Sequence, residues 1–253
     1  MRTQDVRAGT AEHRTMKSVA AVILAAGASS RLGELGSHCS KPTLPIAGQP
    51  LIGRLIDSLR AAGVGRLVVV GHPSDQRLSA HLRVHHPEVE LVMQSERRGT
   101  ADALRHALPL VASEPAYLAC ACDALLVPDD VARVQRLGQG RPGTAVVGVL
   151  ETPAGTAPAD DTNLLQVIEA HALSSAPGWP VPTPLYWLPR SLSSYIDTVA
   201  PGGGEADIAT ALNSFIINGG TVHAVRLTNR PAITVEEDIE NAEAWLLEQQ
   251  EKS

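Results

Sequence analysis

The first 150 residues of the chain alternate between two hydrophobic patterns. Short apolar runs, typical of buried strands, are separated by segments whose apolar residues recur at helical spacing. The runs that predict strands are 19–25, 66–71, 89–93, 116–122 and 143–150, and the segments that predict helices are 50–62, 76–85, 100–110 and 129–137. Such an alternation predicts an α/β fold with a doubly wound, parallel sheet. Ligands of these sheets bind beyond the carboxyl ends of the strands, so the loops there are the expected place for a site.

The rest of the chain is less regular but contains no long linker. Its predicted strands are 164–169, 185–188 and 221–227, its predicted helices are 192–199, 207–218 and 235–251, and its predicted loops are 151–163 and 172–184. We therefore expect one domain over residues 18–253, with a nucleotide-binding half (18–150) and an acceptor-binding half (151–253). Residues 1–17 mix charges with Gly and Thr and lack the apolar stretch of a signal peptide, which predicts a disordered tail.

Composition excludes some classes of function. The net charge is −6 and aromatic residues make up 3%, which argues against a nucleic-acid partner, since such proteins need basic surfaces and stacking aromatics. No apolar run reaches the ~18 residues of a membrane span. The three cysteines (Cys39, Cys120 and Cys122) are sparse and odd in number, which favours a cytoplasmic location. Cys120 and Cys122 are expected in a buried strand and not in a metal site.

The loop after the first predicted strand, Leu24 to Gly33, is rich in Gly, Ala and Ser. Small side chains let backbone N–H groups approach phosphate oxygens closely. Arg31 can add a bidentate charged contact to a phosphate, and Lys41 can add a point charge. An ordinary glycine-containing turn would show the same composition, so this loop alone leaves both interpretations open.

Four motifs in this region resemble the signature of the sugar-phosphate nucleotidyltransferases, which include glucose-1-phosphate thymidylyltransferases and N-acetylglucosamine-1-phosphate uridyltransferases. They are Leu24-Ala25-Ala26-Gly27, Arg31-Leu32-Gly33, Ser40-Lys41-Pro42 and residues 45–51. The resemblance implies a Rossmann-like, mostly parallel mixed sheet of the nucleotide-diphospho-sugar transferase type. It also implies that the 24–27 backbone binds the nucleotide, while Arg31 and Lys41 hold the triphosphate and stabilise the pentacoordinate α-phosphate.

Residues 94–101, Gln-Ser-Glu-Arg-Arg-Gly-Thr-Ala, are similar to the base-reading segment of uridylyl- and thymidylyltransferases in the same family. The resemblance implies that the Gln94 side chain and the Gly99 backbone pair with a pyrimidine, with Thr100 beside them. UTP or dTTP is therefore the favoured donor.

Asp123 directly follows a predicted strand, and a carboxylate at that place beside a triphosphate is a natural Mg²⁺ ligand. In the family an Asp at this position binds the metal. The resemblance also places Asn229 at the position of a second metal ligand, where an amide oxygen binds Mg²⁺ more weakly than a carboxylate.

The acceptor half matches the family less well. Where family members carry Glu-Lys-Pro, this chain has Glu169-Ala170-His171, and the predicted strand that follows contains Tyr186. The resemblance implies acceptor contacts at Glu169 and Tyr186, with His171 either replacing the Lys as an anion contact or simply solvated. The acceptor is expected to be a sugar-1-phosphate or a similar phosphorylated small molecule. Many family members are dimers or tetramers, which makes a homodimer the expected assembly.

Two other functions are open on the sequence. A cytidylyltransferase for an alditol phosphate, a cyclitol phosphate or a phosphonate would explain the altered acceptor motifs. A nucleotide-binding regulator without activity would explain Asn229, although the combination of Arg31, Lys41 and Asp123 argues against it.

Overall fold

The computed structural model describes residues 19–28, 40–150, 181–199, 206–228, 230–231, 233 and 235–251. The sequence predictions for the tail 1–17, Arg31, Cys39, Glu169, His171 and Asn229 lie outside these residues. The predicted division into a nucleotide-binding and an acceptor-binding half remains a prediction.

The described strands and helices largely follow the predicted alternation. The strands are β1 (Val19–Leu24), β2 (Pro45–Ile46), β3 (Gln49–Pro50), β4 (Val64–Gly71), β5 (Glu90–Met93), β6 (Ala116–Ala121), β7 (Ala145–Leu150), β8 (Val181–Pro189) and β9 (Val222–Arg226). The helices are α1 (Leu51–Ala61), α2 (Gln76–His85), α3 (Thr100–Val111), α4 (Pro128–Gly140), α5 (Ser193–Thr198), α6 (Ile208–Ile217) and α7 (Asp238–Glu251).

Seven of these strands form one mixed sheet in the order β5-β4-β1-β6-β8-β7-β9. β1 pairs in parallel with β4 and β6, β4 with β5, and β7 with β9. β8 is antiparallel to both of its neighbours, so its amino end lies at the sheet edge where the other strands have their carboxyl ends. The predicted α/β class, with a mostly parallel mixed sheet, is therefore confirmed.

Helices cover both faces of the sheet. α3, α5 and α6 pack on one face, and α1, α2 and α4 pack on the other. Every residue of β1 is buried, because a central strand is covered on both sides, and this explains its unbroken apolar sequence. No helix in the described part of the chain combines the length and the apolar character that a membrane span requires.

Three local features differ from the sequence expectations. The hairpin of β2 and β3 was not predicted; its turn residues Ala47 and Gly48 both have positive φ, as a two-residue hairpin turn requires. β8 begins at Val181, inside a predicted loop. Its prolines suggested a break, but the pairing of β7 with β8 is irregular between Val147 and Val149, and such irregularities accommodate proline.

The third difference is the start of α7. The pattern predicted a helix from residue 235, but α7 begins at Asp238. The Asp238 carboxylate accepts a hydrogen bond from the Val235 N–H at 2.9 Å and so stabilises a separate turn before the helix. α7 packs through Ala242 on a small cluster with Leu44, Ile46 and Leu125, which joins it to the β2–β3 hairpin.

Candidate active site

The predicted cation Lys41 and the predicted metal ligand Asp123 are in direct contact. Lys41 Nζ lies 2.6 Å from Asp123 Oδ2, although the two residues are 82 positions apart in sequence. Their side chains are 19% and 32% exposed, so both are reachable from solvent. This contact lies beyond the carboxyl end of β6, where the topology predicted a ligand site.

Local structure fixes the positions of Lys41 and Asp123. Lys41 opens a short 3₁₀ helix, Lys41–Thr43, in which the buried Pro42 restricts the backbone. Asp123 stands two residues beyond β6, and the preceding Cys122 N–H donates to Leu24 O at 3.0 Å. Cys120 lies in β6 as expected, whereas Cys122 lies just beyond its end; both are buried free thiols, and burial raises the pKa of Cys120 to about 12. Both thiols are therefore packing groups next to the site.

The described part of the loop after β1 is tied to its neighbours. The Ala25 N–H donates to Val70 O at 2.8 Å, so this N–H is engaged within the sheet. Ala26 O accepts a hydrogen bond from Arg97 Nε at 2.9 Å, while Gly27 is exposed. Arg97 belongs to the predicted base-reading segment. Its contact therefore joins that segment to the loop after β1.

Within the base-reading segment, Gln94 is buried and held by its own neighbours. Its Nε2 donates to Asp102 Oδ2 at 2.8 Å and lies 3.3 Å from Gly99 O. Gly99 has a φ of +102°, which a residue with a side chain rarely adopts. The predicted base-reading residues Gln94 and Gly99 are therefore adjacent in space.

Thr100 is joined to the amino end of α6. Its Oγ1 donates to Asp207 Oδ1 at 2.9 Å and accepts from the Ile208 N–H at 3.1 Å. The backbone of Ala206 lies against Gly99, with hydrogen bonds to Arg98 and Ala101. Ala206, which belongs to the second half of the chain, thus packs against the base-reading segment and is hydrogen-bonded to it.

Tyr186, the predicted acceptor contact, is half-buried within the sheet. It pairs with Ala119 and Val147 in the middle of the sheet, and its ring packs against the core on the α3 face. Burial, with a smaller contribution from the charge of Asp207, raises the pKa of its hydroxyl. The structure thus separates Tyr186 from the Lys41–Asp123 contact by several residues of β6.

A second cation near Asp123 was not anticipated from the sequence. Arg230 follows β9, and its Nη2 donates to Thr183 Oγ1 near the amino end of β8. Burial lowers the pKa of Arg230, and the nearby charges of Asp130 and Asp123 oppose this shift. Its Nη1 is buried and has no hydrogen-bond partner among the described residues. The only sequence signal was its position beside Asn229.

Asp130, in the first turn of α4, anchors the segment that carries Arg230. Both of its carboxylate oxygens accept from the Thr228 N–H, at 3.1 and 3.0 Å, and Oδ1 also accepts from the Thr228 hydroxyl at 3.2 Å. Burial raises the pKa of Asp130, and these hydrogen bonds from Thr228 oppose the shift. The chain that follows β9 is therefore fixed at the same sheet edge as Asp123.

This geometry agrees with the comparisons with known proteins. The MobA-like NTP transferase domain matches residues 21–214. The chain belongs to this family. The predicted sugar-phosphate nucleotidyltransferase membership is thus confirmed.

Relatives at higher identity match only part of the chain. The bifunctional protein GlmU of Burkholderia mallei (strain SAVP1) is 43% identical over 91 residues, which is 36% of this chain and 19% of that protein. GlmU of Hyphomonas neptunium (strain ATCC 15444) is 41% identical over 91 residues, with the same coverage. The chain therefore spans well under half the length of these relatives.

Solved structures share the fold at low sequence identity. UDP-glucose pyrophosphorylase complexed with UDP-glucose superimposes with a TM-score of 0.74 at 15% identity, covering 92% of this chain and 99% of that one. The apo form of a UDP-glucose pyrophosphorylase gives a TM-score of 0.73 at 16% identity. At these identities the comparison shows a shared fold.

Proposed function

We propose that this chain is a nucleotidyltransferase that moves a nucleoside monophosphate from a pyrimidine nucleoside triphosphate, UTP or dTTP, to a sugar-1-phosphate or a similar phosphorylated small molecule, and releases pyrophosphate. The observation that carries the proposal is the contact of Lys41 with Asp123 at the carboxyl edge of the sheet. The hydrogen bond from Arg97 to Ala26 supports it, because it joins the base-reading segment to the phosphate loop.

The reaction is a single in-line displacement. An oxygen of the acceptor phosphate attacks the α-phosphorus of the triphosphate, and the bond to the pyrophosphate leaving group breaks. A phosphate is already anionic at neutral pH, so catalysis rests on positioning and charge neutralisation and needs no general base. Lys41, together with Arg31 of the 24–33 loop, neutralises charge on the phosphates as pyrophosphate departs.

The donor set around Asp123 fits Mg²⁺. Among the described residues, no cluster of three metal-binding side chains could hold an ion by itself. Mg²⁺ usually binds one or two carboxylates and completes its shell with water and substrate phosphates, for which the partly exposed Asp123 is suited. In this proposal Asp123 and Asn229 hold the ion, which supplies positive charge to the triphosphate when it is bound.

The decisive experiment is pyrophosphate release with a matrix of substrates. UTP, dTTP and CTP are each combined with glucose-1-phosphate, N-acetylglucosamine-1-phosphate, an alditol phosphate and a phosphonate, in the presence of Mg²⁺. UDP-glucose is included for the reverse reaction, since it is the ligand named for the structurally similar UDP-glucose pyrophosphorylase. Turnover with UTP or dTTP and a sugar-1-phosphate supports the proposal. Turnover only with CTP, or binding without any turnover, contradicts it.

Arg230 is the expected contact for the acceptor phosphate. It lies on the β8–β9 side of Asp123, whereas Lys41 and Gln94 belong to segments on the β1–β5 side. Arg230 Nη1 is buried and has no hydrogen-bond partner among the described residues, and a guanidinium group of this kind is suited to a phosphate oxygen. We expect Arg230→Met to raise the KM for glucose-1-phosphate by about tenfold or more while the KM for UTP changes little, with partial recovery in Arg230→Lys.

Steady-state kinetics with each substrate varied in turn measures this effect. Thr183→Val is the matched control, because it removes the hydroxyl that accepts from Arg230 and leaves the guanidinium in place. A larger rise in KM for UTP than for glucose-1-phosphate in Arg230→Met would assign this residue to the donor nucleotide.

A further inference from the structure

The amide of Gln94 has a fixed orientation in the ligand-free chain. Its Nε2 faces the Asp102 carboxylate at 2.8 Å and the Gly99 carbonyl at 3.3 Å. Carboxylate and carbonyl oxygens only accept hydrogen bonds, so both amide hydrogens must point inward. The carbonyl oxygen Oε1 is then the group of Gln94 that remains for a ligand.

Asp102 is itself held firmly. It is almost completely buried, and its other oxygen, Oδ1, accepts from Arg105 Nη1 at 2.9 Å. Arg105 in turn donates to Ile196 O and Val199 O on α5 and the residue after it, at 2.9 and 2.8 Å. Arg98 Nε lies 3.7 Å from the same Oδ1. Two guanidinium groups therefore face Oδ1 of Asp102, whereas Oδ2 accepts from Gln94 and lies 3.7 Å from His106 Nε2.

We infer that Asp102 determines base specificity by orienting Gln94. With Oε1 directed to the base, the site accepts a ring N–H donor, which uracil and thymine present at N3. Cytosine has a lone pair at N3, so two acceptors would face each other and lose a hydrogen bond in a buried place. The inference rests on the proposed function and deepens it, because it names the residue that fixes the orientation of the base-reading amide.

The test is the substitution Asp102→Asn, which keeps the shape of the side chain and removes its charge. The amide oxygen of the substituted side chain is expected to turn toward the charged Arg105, which leaves its NH₂ group facing Gln94. The Gln94 amide then rotates and directs its own NH₂ to the base. We expect the ratio of UTP to CTP affinity to fall by about tenfold or more in Asp102→Asn, as one hydrogen bond is exchanged for a mismatch.

Isothermal titration calorimetry with UTP and CTP in the presence of Mg²⁺ measures the ratio without requiring turnover. Arg105→Met is the matched control: it keeps the Asp102 carboxylate but removes the bonds to α5, so it should lower the melting temperature and change the ratio by less than about twofold. Asp102→Ser is a second variant, whose hydroxyl can donate or accept, and it should bring the ratio toward one. Melting curves verify that each variant is folded.

The outcomes separate the inference from the function on which it rests. A wild-type chain that binds neither nucleotide overturns the proposed donor and the inference together. A wild-type chain that prefers UTP, with the preference unchanged in Asp102→Asn and Asp102→Ser, leaves the function intact and overturns the role of Asp102. A wild-type preference for CTP also overturns it. So does a change in the ratio of UTP to CTP affinity in Arg105→Met that is as large as the change in Asp102→Asn.

Discussion

Lys41→Ala and Asp123→Ala are each expected to lower the turnover number by at least about a hundredfold, which is the usual effect of removing a key electrostatic contact in a transition state. Lys41 Nζ and Asp123 Oδ2 are 2.6 Å apart, so each side chain also fixes the position of the other. Removal of Lys41 leaves the phosphates with less positive charge. Removal of Asp123 takes away the expected carboxylate ligand of Mg²⁺ and the ion pair that helps to position Lys41.

Pyrophosphate release at saturating Mg²⁺ and nucleotide measures the effect. The matched control is the ion pair of Arg66 and Glu90, which has a similar N···O distance of 2.7 Å but joins β4 to β5 away from Asp123. Exposed pairs of this kind contribute little, so Glu90→Gln should stay within about twofold of the wild type. A Lys41→Ala or Asp123→Ala enzyme within about threefold of the wild type would remove that residue from the catalytic assignment.

The same two side chains show why part of the site could be predicted from sequence. Lys41 follows β1 by way of the phosphate loop, and Asp123 follows β6, which is a neighbour of β1 in the sheet. Once the alternation of strands and helices indicates a parallel sheet, residues that follow adjacent strands must meet at one edge. The buried strands and amphipathic helices were equally predictable, because apolar periodicity is a local signal.

The supporting contacts could not be predicted, because they depend on how distant segments pack. Asp102 lies in a helical pattern that only predicted an apolar face, and nothing local indicates that it accepts from Gln94. Arg230 meets Thr183 across 47 positions, and the start of the strand that carries Thr183 was predicted as a loop because of Pro182 and Pro184. The contact of Ala206 with the base-reading segment likewise joins residues that are far apart in sequence.

The contact of Ala206 with the base-reading segment makes Gly99 the position where one added methyl group should have a large effect on stability. A Cβ at Gly99 would lie 2.3 Å from Ala206 O and 2.5 Å from Ala206 N, and the φ of +102° is unfavourable for alanine. Ala206 cannot withdraw freely, because its N–H donates to Arg98 O and its carbonyl accepts from the Ala101 N–H, both at 2.8 Å. We expect Gly99→Ala to destabilise the fold by about 3 kcal/mol or more.

The variant Gly63→Ala separates the two causes of the expected destabilisation, which are backbone strain and the clash with Ala206. Gly63 has a φ of +85°, and no described atom lies within 4 Å of the added Cβ, so only backbone strain of about 1–2 kcal/mol is expected. Urea unfolding of both variants measures the difference between their free energies of unfolding. Because Gly99 also accepts from Gln94, the folded fraction of Gly99→Ala should bind UTP more weakly, whereas Gly63→Ala should bind it normally. Equal destabilisation by the two variants would mean that Ala206 moves aside without lowering the free energy of unfolding. The second half of the chain would then not hold the base-reading segment in place.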